Sequence, residues 1–315
     1  MEEWLDPALE LDLIAGFDEA LARAGMSGHC KIRAILKDSP ETLVALGDFD
    51  ADLVVFKLFR GPDAGKLVRK AAEALNFFEK RLKTADAAMV SVVATAPKAG
   101  ILVMTQAAGT PVNRLLGVES VDQHALMRRC ANWLTVCAGD DLEVRRMAPG
   151  KPIQEVKALF EEYHDQDMHR LAKRLLRELR KQREPLKGHP LVWSYSHGDY
   201  APVNASDDGN CLTAYDIQGV PRLPLARVAC RFLVAKDLNR PPADRLLWGL
   251  DADMAMAFLS GLPPSVGEDM AVIRFYIGIA MAQRLMRDNF NDEGRKAVKK
   301  RIQMYLRDPV PAQED

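Results

Sequence analysis

The sequence predicts an α+β chain in two parts, a small β-rich portion with one long helix and then a larger, mainly helical portion. Three observations carry this expectation. The hydrophobic period switches from about two to about 3.6 residues near positions 105–111. The helical part is interrupted once, by LVWSYSHGDYAPVNASDDGNCLTAYDIQG (191–219), in which short β-like stretches flank Asn, Asp and Gly-rich turns. The length of 315 residues suits two domains of about 150 residues or one large two-lobed domain.

Taken in order, MEEWLDPALELDLIAGF reads as a first amphipathic helix within a 1–29 extension. Glu2, Glu3 and Asp6 stand where a secretory signal would carry basic residues. From Cys30 to Thr105, CKIRAIL, TLVAL, DLVVFKLF, MVSVVAT and GILVMT read as four or five strands, separated by turn signals such as KDSPE and GDFDAD. A helix over Asp63–Leu82 interrupts them, with Leu67, Ala71, Ala74, Leu75 and Phe78 on one apolar face. After Gly109, Thr110 and Pro111, helical periods run over 121–138, about 153–184, and from 226 onward.

Composition narrows the function. With 48% hydrophobic and 28% charged residues the chain is too apolar for disorder. Forty-three Lys and Arg against 44 Asp and Glu give a net charge of −1, so no global field draws the protein to nucleic acid or an anionic membrane. The apolar run from Ala87 to Ala96, broken by Ser91 and Thr95, falls short of the ~20 residues that cross a bilayer. Five cysteines, an odd number without a CxxC, read as reduced thiols rather than a disulfide framework or zinc site. Together these place the expected protein in the cytoplasm.

Several apparent motifs dissolve on inspection. Arg60 to Lys66 (RGPDAGK) is one residue short of a phosphate-binding P-loop, carries Leu67 where a hydroxyl belongs, and loses an N–H at Pro62. His164 and His169, five apart, point about 140° away from each other on a helix. The basic stretch from Arg170 to Lys187 is threaded by Leu171, Leu175, Leu176 and Leu179 at helical spacing, which reads as a solvated face. No GxSxG, HExxH or GxGxxG occurs.

One constellation stands out: His197-Gly198-Asp199, then Asn204, then Asp216. Phosphoryl transfer needs a carboxylate to orient the attacking hydroxyl and oxygen ligands that hold Mg²⁺ against nucleotide phosphates. A loop with Asp and Asn five apart, followed by a hairpin returning a second Asp, supplies that set.

SHGDYAPVN (196–204) and TAYDIQG (213–219) resemble the catalytic loop and metal-binding Asp of the aminoglycoside phosphotransferase and choline kinase family. The resemblance implies a two-lobed protein-kinase-like fold with an N-lobe over 30–105, a hinge over 106–110 and a C-lobe over 111–315. It implies Asp199 as catalytic base, Asn204 and Asp216 as Mg²⁺ ligands, and Lys57 in DLVVFKLF as the ATP-binding lysine. Glu73 would be its partner, with Glu79 the alternative. GILVMTQAAGTPV resembles the family's hinge, where adenine would meet Met104, Thr105, Gln106 and Ala107. ATP and Mg²⁺ are the implied cofactors, and the acceptor a hydroxyl of a small molecule such as an amino sugar or choline-like alcohol. Asp237, Asp251, Asp253, Glu268 and Asp269 are either attractors for a cationic acceptor or solvated helix charges.

Three positions depart from the family's pattern. Gln218 stands where relatives carry an acid, Arg227 where they often place an Asp that supports the catalytic loop, and KDSPETL, between the first two strands, holds no glycine. These carry a second reading, a pseudokinase serving as a nucleotide-binding or protein-interaction module. Kinase action on protein substrates is disfavoured, since no DFG-to-APE segment is present.

Overall fold

A computed structural model describes residues 7–26, 28–82, 84–161, 166–217, 219–238, 240–286 and 292–308. The chain divides into two compact units. One comprises Met1–Lys83, Ala88–Ala108 and Thr213–Val220, the other Thr84–Ala87, Gly109–Leu212 and Pro221–Asp315. Residues 213–220 thus segregate with the sheet, not with the helical portion to which the sequence reading assigns them.

The first unit contains α1 (Pro7–Arg23), β1 (Cys30–Asp38), β2 (Thr42–Phe49), β3 (Asp52–Phe59) and α2 (Ala64–Arg81). The stretch expected as one strand over 89–95 is divided between β4 (Ala87–Met89) and β5 (Val92–Ala96), and β6 (Ile101–Thr105) follows. Five strands form an antiparallel sheet in the order β1-β2-β3-β6-β5. The β2–β3 turn is the two residues Asp50 and Ala51, both at positive φ (49° and 76°), the backbone a right-twisted two-residue hairpin demands.

Helix α1 lies on this sheet because Phe17, Ala20 and Leu21 recur at helical spacing and are fully buried with Ile32, Ala45, Val54, Phe56 and Val103. Phe17 meets Phe56 edge-on with ring centroids 6.0 Å apart. The Glu10 carboxylate accepts a hydrogen bond from the Ile35 N–H on the edge strand β1 at 3.2 Å, covering part of an otherwise open edge. Helix α2 buries Val68, Ala71, Ala72, Ala74, Leu75 and Phe78, while Leu67, expected on that face, is only half-buried. The RGPDAGK segment is the turn before α2, closed by an Ala64 N–H to Gly61 carbonyl bond with Gly61 at φ 87°.

The second unit begins with β7 (Thr110–Pro111), α3 (Val112–Leu115), α4 (Gln123–Ala138) and β8 (Glu143–Arg146). The helical stretch read over 153–184 is divided into α5 (Gly150–Glu161), α6 (Gln166–Lys181) and α7 (Arg183–Leu186). His164 and Asp165 lie outside the described residues. Next come β9 (Pro190–Tyr195), β10 (Ala205–Asp207), β11 (Leu212–Ala214), β12 (Arg222–Pro224) and α8 (Leu225–Asp237). A short hairpin, β13 (Leu246–Leu247) and β14 (Leu250–Asp251), leads to α9 (Ala252–Leu259), α10 (Pro264–Gly267), α11 (Met270–Leu285) and α12 (Asp292–Arg307).

Packing of α8 on α11 and of α4 on α9 builds the core of this unit. Through it runs a column of stacked rings, Trp133, Tyr200, Phe232 and Phe258, with successive centroids 4.8, 4.9 and 4.9 Å apart. Helix α6 buries Leu171, Ala172, Leu175, Leu176 and Leu179 and exposes Arg170, Lys173, Arg174, Arg177 and Arg180, a solvated face as expected.

Candidate active site

In the first unit, Lys57 sits on the central strand β3 opposite Val44 and Leu102, with 5% of its surface exposed. A lysine buried this deeply needs a counter-charge to offset desolvation. The Asp216 carboxylate supplies it through a direct ion pair across 159 positions of sequence, and the ammonium also lies 5.0 Å from the Phe59 ring centroid. Asp216 has φ 62°, a left-handed backbone uncommon outside glycine, of the kind held at functional sites by surrounding structure. The Ala214 carbonyl accepts from the Val90 N–H at 3.2 Å, which fixes the start of this segment.

The expected Lys57–Glu73 pair is therefore replaced by Lys57–Asp216. Glu73 is exposed on α2, because the inward arc of that helix is filled by Ala71, Ala72, Ala74, Leu75 and Phe78. Glu79, the alternative, accepts from the Ser91 hydroxyl at 2.6 Å. Met104 is buried at the end of β6, and Thr105 is bound to Ser91 through its backbone N–H (3.0 Å) and its hydroxyl oxygen (2.9 Å). Gln106 is exposed and Ala107 half-buried just beyond the strand.

The glycine-free turn between β1 and β2 is closed on itself. Ser39 Oγ accepts from the Thr42 N–H and bonds the Thr42 carbonyl, while Arg60 binds the Ser39 carbonyl (2.5 Å) and the Asp38 carboxylate (2.7 Å).

In the second unit, residues 196–204 leave β9 as a loop. Gly198 has φ 80°, and a Cβ there would lie 3.1 Å from Pro221, so the position requires glycine. Tyr200 is buried in the ring column and donates its hydroxyl to the Cys130 carbonyl at 2.9 Å. Burial pushes its hydroxyl pKa well up, keeping it a neutral donor. Asn204 ends a short 3₁₀ turn (Pro202–Asn204) and donates Nδ2–H to the Asp199 carbonyl at 2.8 Å, which leaves its Oδ1 as the donor atom for a cation. Asp199 is paired with Arg231, whose Nη2 lies 3.0 Å from Oδ1, and Arg231 Nη1 donates to the Gly198 carbonyl at 2.5 Å. Arg231 escapes sequence reasoning; its only signal is an arginine on α8 between buried Cys230 and Phe232.

Arg227, expected at the place of a loop-supporting Asp, pairs with Glu155 at 3.0 Å. Gln218 lies outside the described residues. Four of the acids weighed as attractors of a cationic acceptor have structural occupations. Asp237 is buried against Lys236 (2.7 Å) and accepts from the Asp251 N–H (2.9 Å), Asp251 caps α9, Asp253 pairs with Arg245 (2.8 Å), and Asp269 caps α11 and binds His189 (2.6 Å). Glu268 is exposed. Among the described residues no three His, Cys, Asp or Glu gather into a metal cluster. One carboxylate and one amide oxygen nevertheless fit Mg²⁺, which is commonly held by one or two carboxylates plus substrate phosphates.

These elements define an α+β, protein-kinase-like fold. Solved structures that share it include aminoglycoside phosphotransferase APH(4)-Ia, with a TM-score of 0.63 and 12% identity over 92% of this chain and 98% of that one. Choline kinase from Cryptosporidium parvum Iowa II aligns at TM-score 0.57 and 10% identity over 94% of each chain. The streptomycin–ATP ternary complex of APH(2'')-IIa aligns at 0.57 and 13% over 92% of this chain and 98% of that one. APH(4)-Ia itself has been captured with AMP-PNP and hygromycin B. No protein-family model matches the sequence, and no curated protein matches it.

Proposed function

We propose that the protein is a phosphotransferase that moves the γ-phosphate of ATP to a hydroxyl of a small molecule. The buried Lys57–Asp216 ion pair carries this reading, because a charged pair at the centre of a sheet contributes little to stability for its desolvation cost and is most simply retained for a ligand. The fold shared with ATP-binding phosphotransferases supports it.

In this reading Lys57 binds the α- and β-phosphates, and the strand end at Met104, Thr105, Gln106 and Ala107 receives adenine. Asp216 and Asn204 supply oxygen ligands to Mg²⁺, which when bound neutralises phosphate charge in transfer. Asp199 accepts the proton of the acceptor hydroxyl as its oxygen attacks the γ-phosphorus and the bond to the β-phosphate oxygen breaks. The structural occupations of Asp237, Asp251, Asp253 and Asp269 favour an acceptor that is not a polycation.

The second reading, a nucleotide-binding or interaction module without turnover, is favoured by the closed, glycine-free β1–β2 turn alone. Calorimetry of ATP with and without Mg²⁺, on wild type and Asp216→Ala, tests the proposal. Magnesium-dependent binding that the variant loses is the expected result. Absence of ATP binding in wild type would overturn it.

A further inference from the structure

We infer that Arg231 is the positioning residue of the catalytic loop, holding the Asp199 carboxylate in its working orientation. The inference rests on the phosphotransfer reading for the role of Asp199, while the tether itself rests on geometry.

One guanidinium engages two acceptors on adjacent residues, the Gly198 carbonyl at 2.5 Å and Asp199 Oδ1 at 3.0 Å. The guanidinium is planar and its donors form a rigid fork, so gripping both atoms fixes the carboxylate relative to its own backbone. The Asp199 side chain is 55% exposed and has little packing to select a rotamer; the fork does so.

The fork is also rigidly mounted. Around Arg231 on α8, Val228, Ala229, Cys230, Phe232, Leu233 and Val234 are all buried. The next residue, Phe232, stacks on Tyr200 at 4.9 Å. Two consecutive residues of one core helix therefore grip both neighbours of Asp199, Gly198 through Arg231 and Tyr200 through Phe232. Asn204 closes the loop from the other end through the Asp199 carbonyl. Arg227, one helical turn earlier, is committed to Glu155, so the support expected at that position comes from Arg231.

A surface ion pair without such a role contributes little, and its loss changes neither loop nor turnover appreciably. The test compares wild type, Arg231→Ala and Arg231→Lys by amide hydrogen exchange, by calorimetry with ATP and Mg²⁺, and by phosphate release from ATP with water as acceptor. In Arg231→Ala, exchange over 197–204 should quicken about tenfold or more while β9 keeps its protection. ATP affinity should stay within about twofold, and kcat for phosphate release should fall about 10–100-fold with KM for ATP unchanged. Added guanidinium ion should restore part of the kcat, and Arg231→Lys, which keeps the charge but not the fork, should recover only part. Unchanged exchange over 197–204, or ATP affinity falling in step with kcat, would overturn the inference. A wild type that releases no phosphate would instead defeat the phosphotransfer reading, and hydrogen exchange would still decide the tether.

Discussion

Lys57 and Asp199 have opposite environments, and their variants should behave oppositely. Lys57 is enclosed by β-sheet and an aromatic ring, so Lys57→Met keeps the packing while removing the charge. Its stability should shift by less than about 2 kcal/mol, since a hydrophobe of similar volume replaces a buried charge at little cost. ATP affinity should fall about tenfold or more, as measured by calorimetry beside urea unfolding. Asp199→Ala should lose about 10²–10⁴-fold in kcat with ATP affinity retained. An equal loss of both would remove Asp199 from the role of base. Lys57, Asp199, Asn204 and Asp216 were legible because oxygen and cation groups in that order are chemically unusual together. Arg231 was not, because an arginine on an apolar helix looks the same whether it ends in solvent or on a carbonyl. Glu73 was misassigned for a related reason: spacing along α2 gives the buried arc but not which carboxylate arrives from elsewhere to meet Lys57.

At the scale of elements, the β2–β3 hairpin makes its turn with Asp50 and Ala51, where a Cβ at φ 76° is strained. Ala51→Gly should stabilise the protein by about 0.5–1 kcal/mol, the relief of left-handed strain less the added freedom of glycine when unfolded. Urea unfolding followed through the sheet signal checks this, and a destabilised variant would show that the turn is not under strain. The alternating strands and α2 were readable from period alone, since one face of each is buried against a single core. The break between β4 and β5 was not, because Val90 and Ser91 continue the apolar run and only a tertiary bond from Val90 to Ala214 turns the chain there. The three-residue strands β10 and β11 lie below the length at which alternation carries information.

Over the whole molecule, the thiols report packing. Cys130, Cys137 and Cys230 are buried, and burial pushes the Cys130 and Cys230 thiols far above their ordinary pKa. The Cys30 thiol is raised as well, by burial first and then by the Asp50 and Asp18 carboxylates. Because the thiolate is the reactive form, a raised pKa lowers reactivity at any pH below it. A thiol reagent at pH 8 should modify Cys211 first, Cys30 slowly, and the three buried residues only in urea. Rapid modification of Cys130 in native protein would contradict the ring column that covers it.

The return of residues 213–220 to the first unit has a consequence for synthesis and for engineering. Neither unit is a continuous piece of chain. As the polypeptide leaves the ribosome, strand β3 carries its buried ammonium long before the carboxylate that neutralises it has been translated. The sheet therefore completes its centre only after about two-thirds of the protein exists, and until then Lys57 favours an open, hydrated strand. Gene fragments ending near position 108 should yield an unstable sheet, whereas appending 213–220 through a short linker should rescue it.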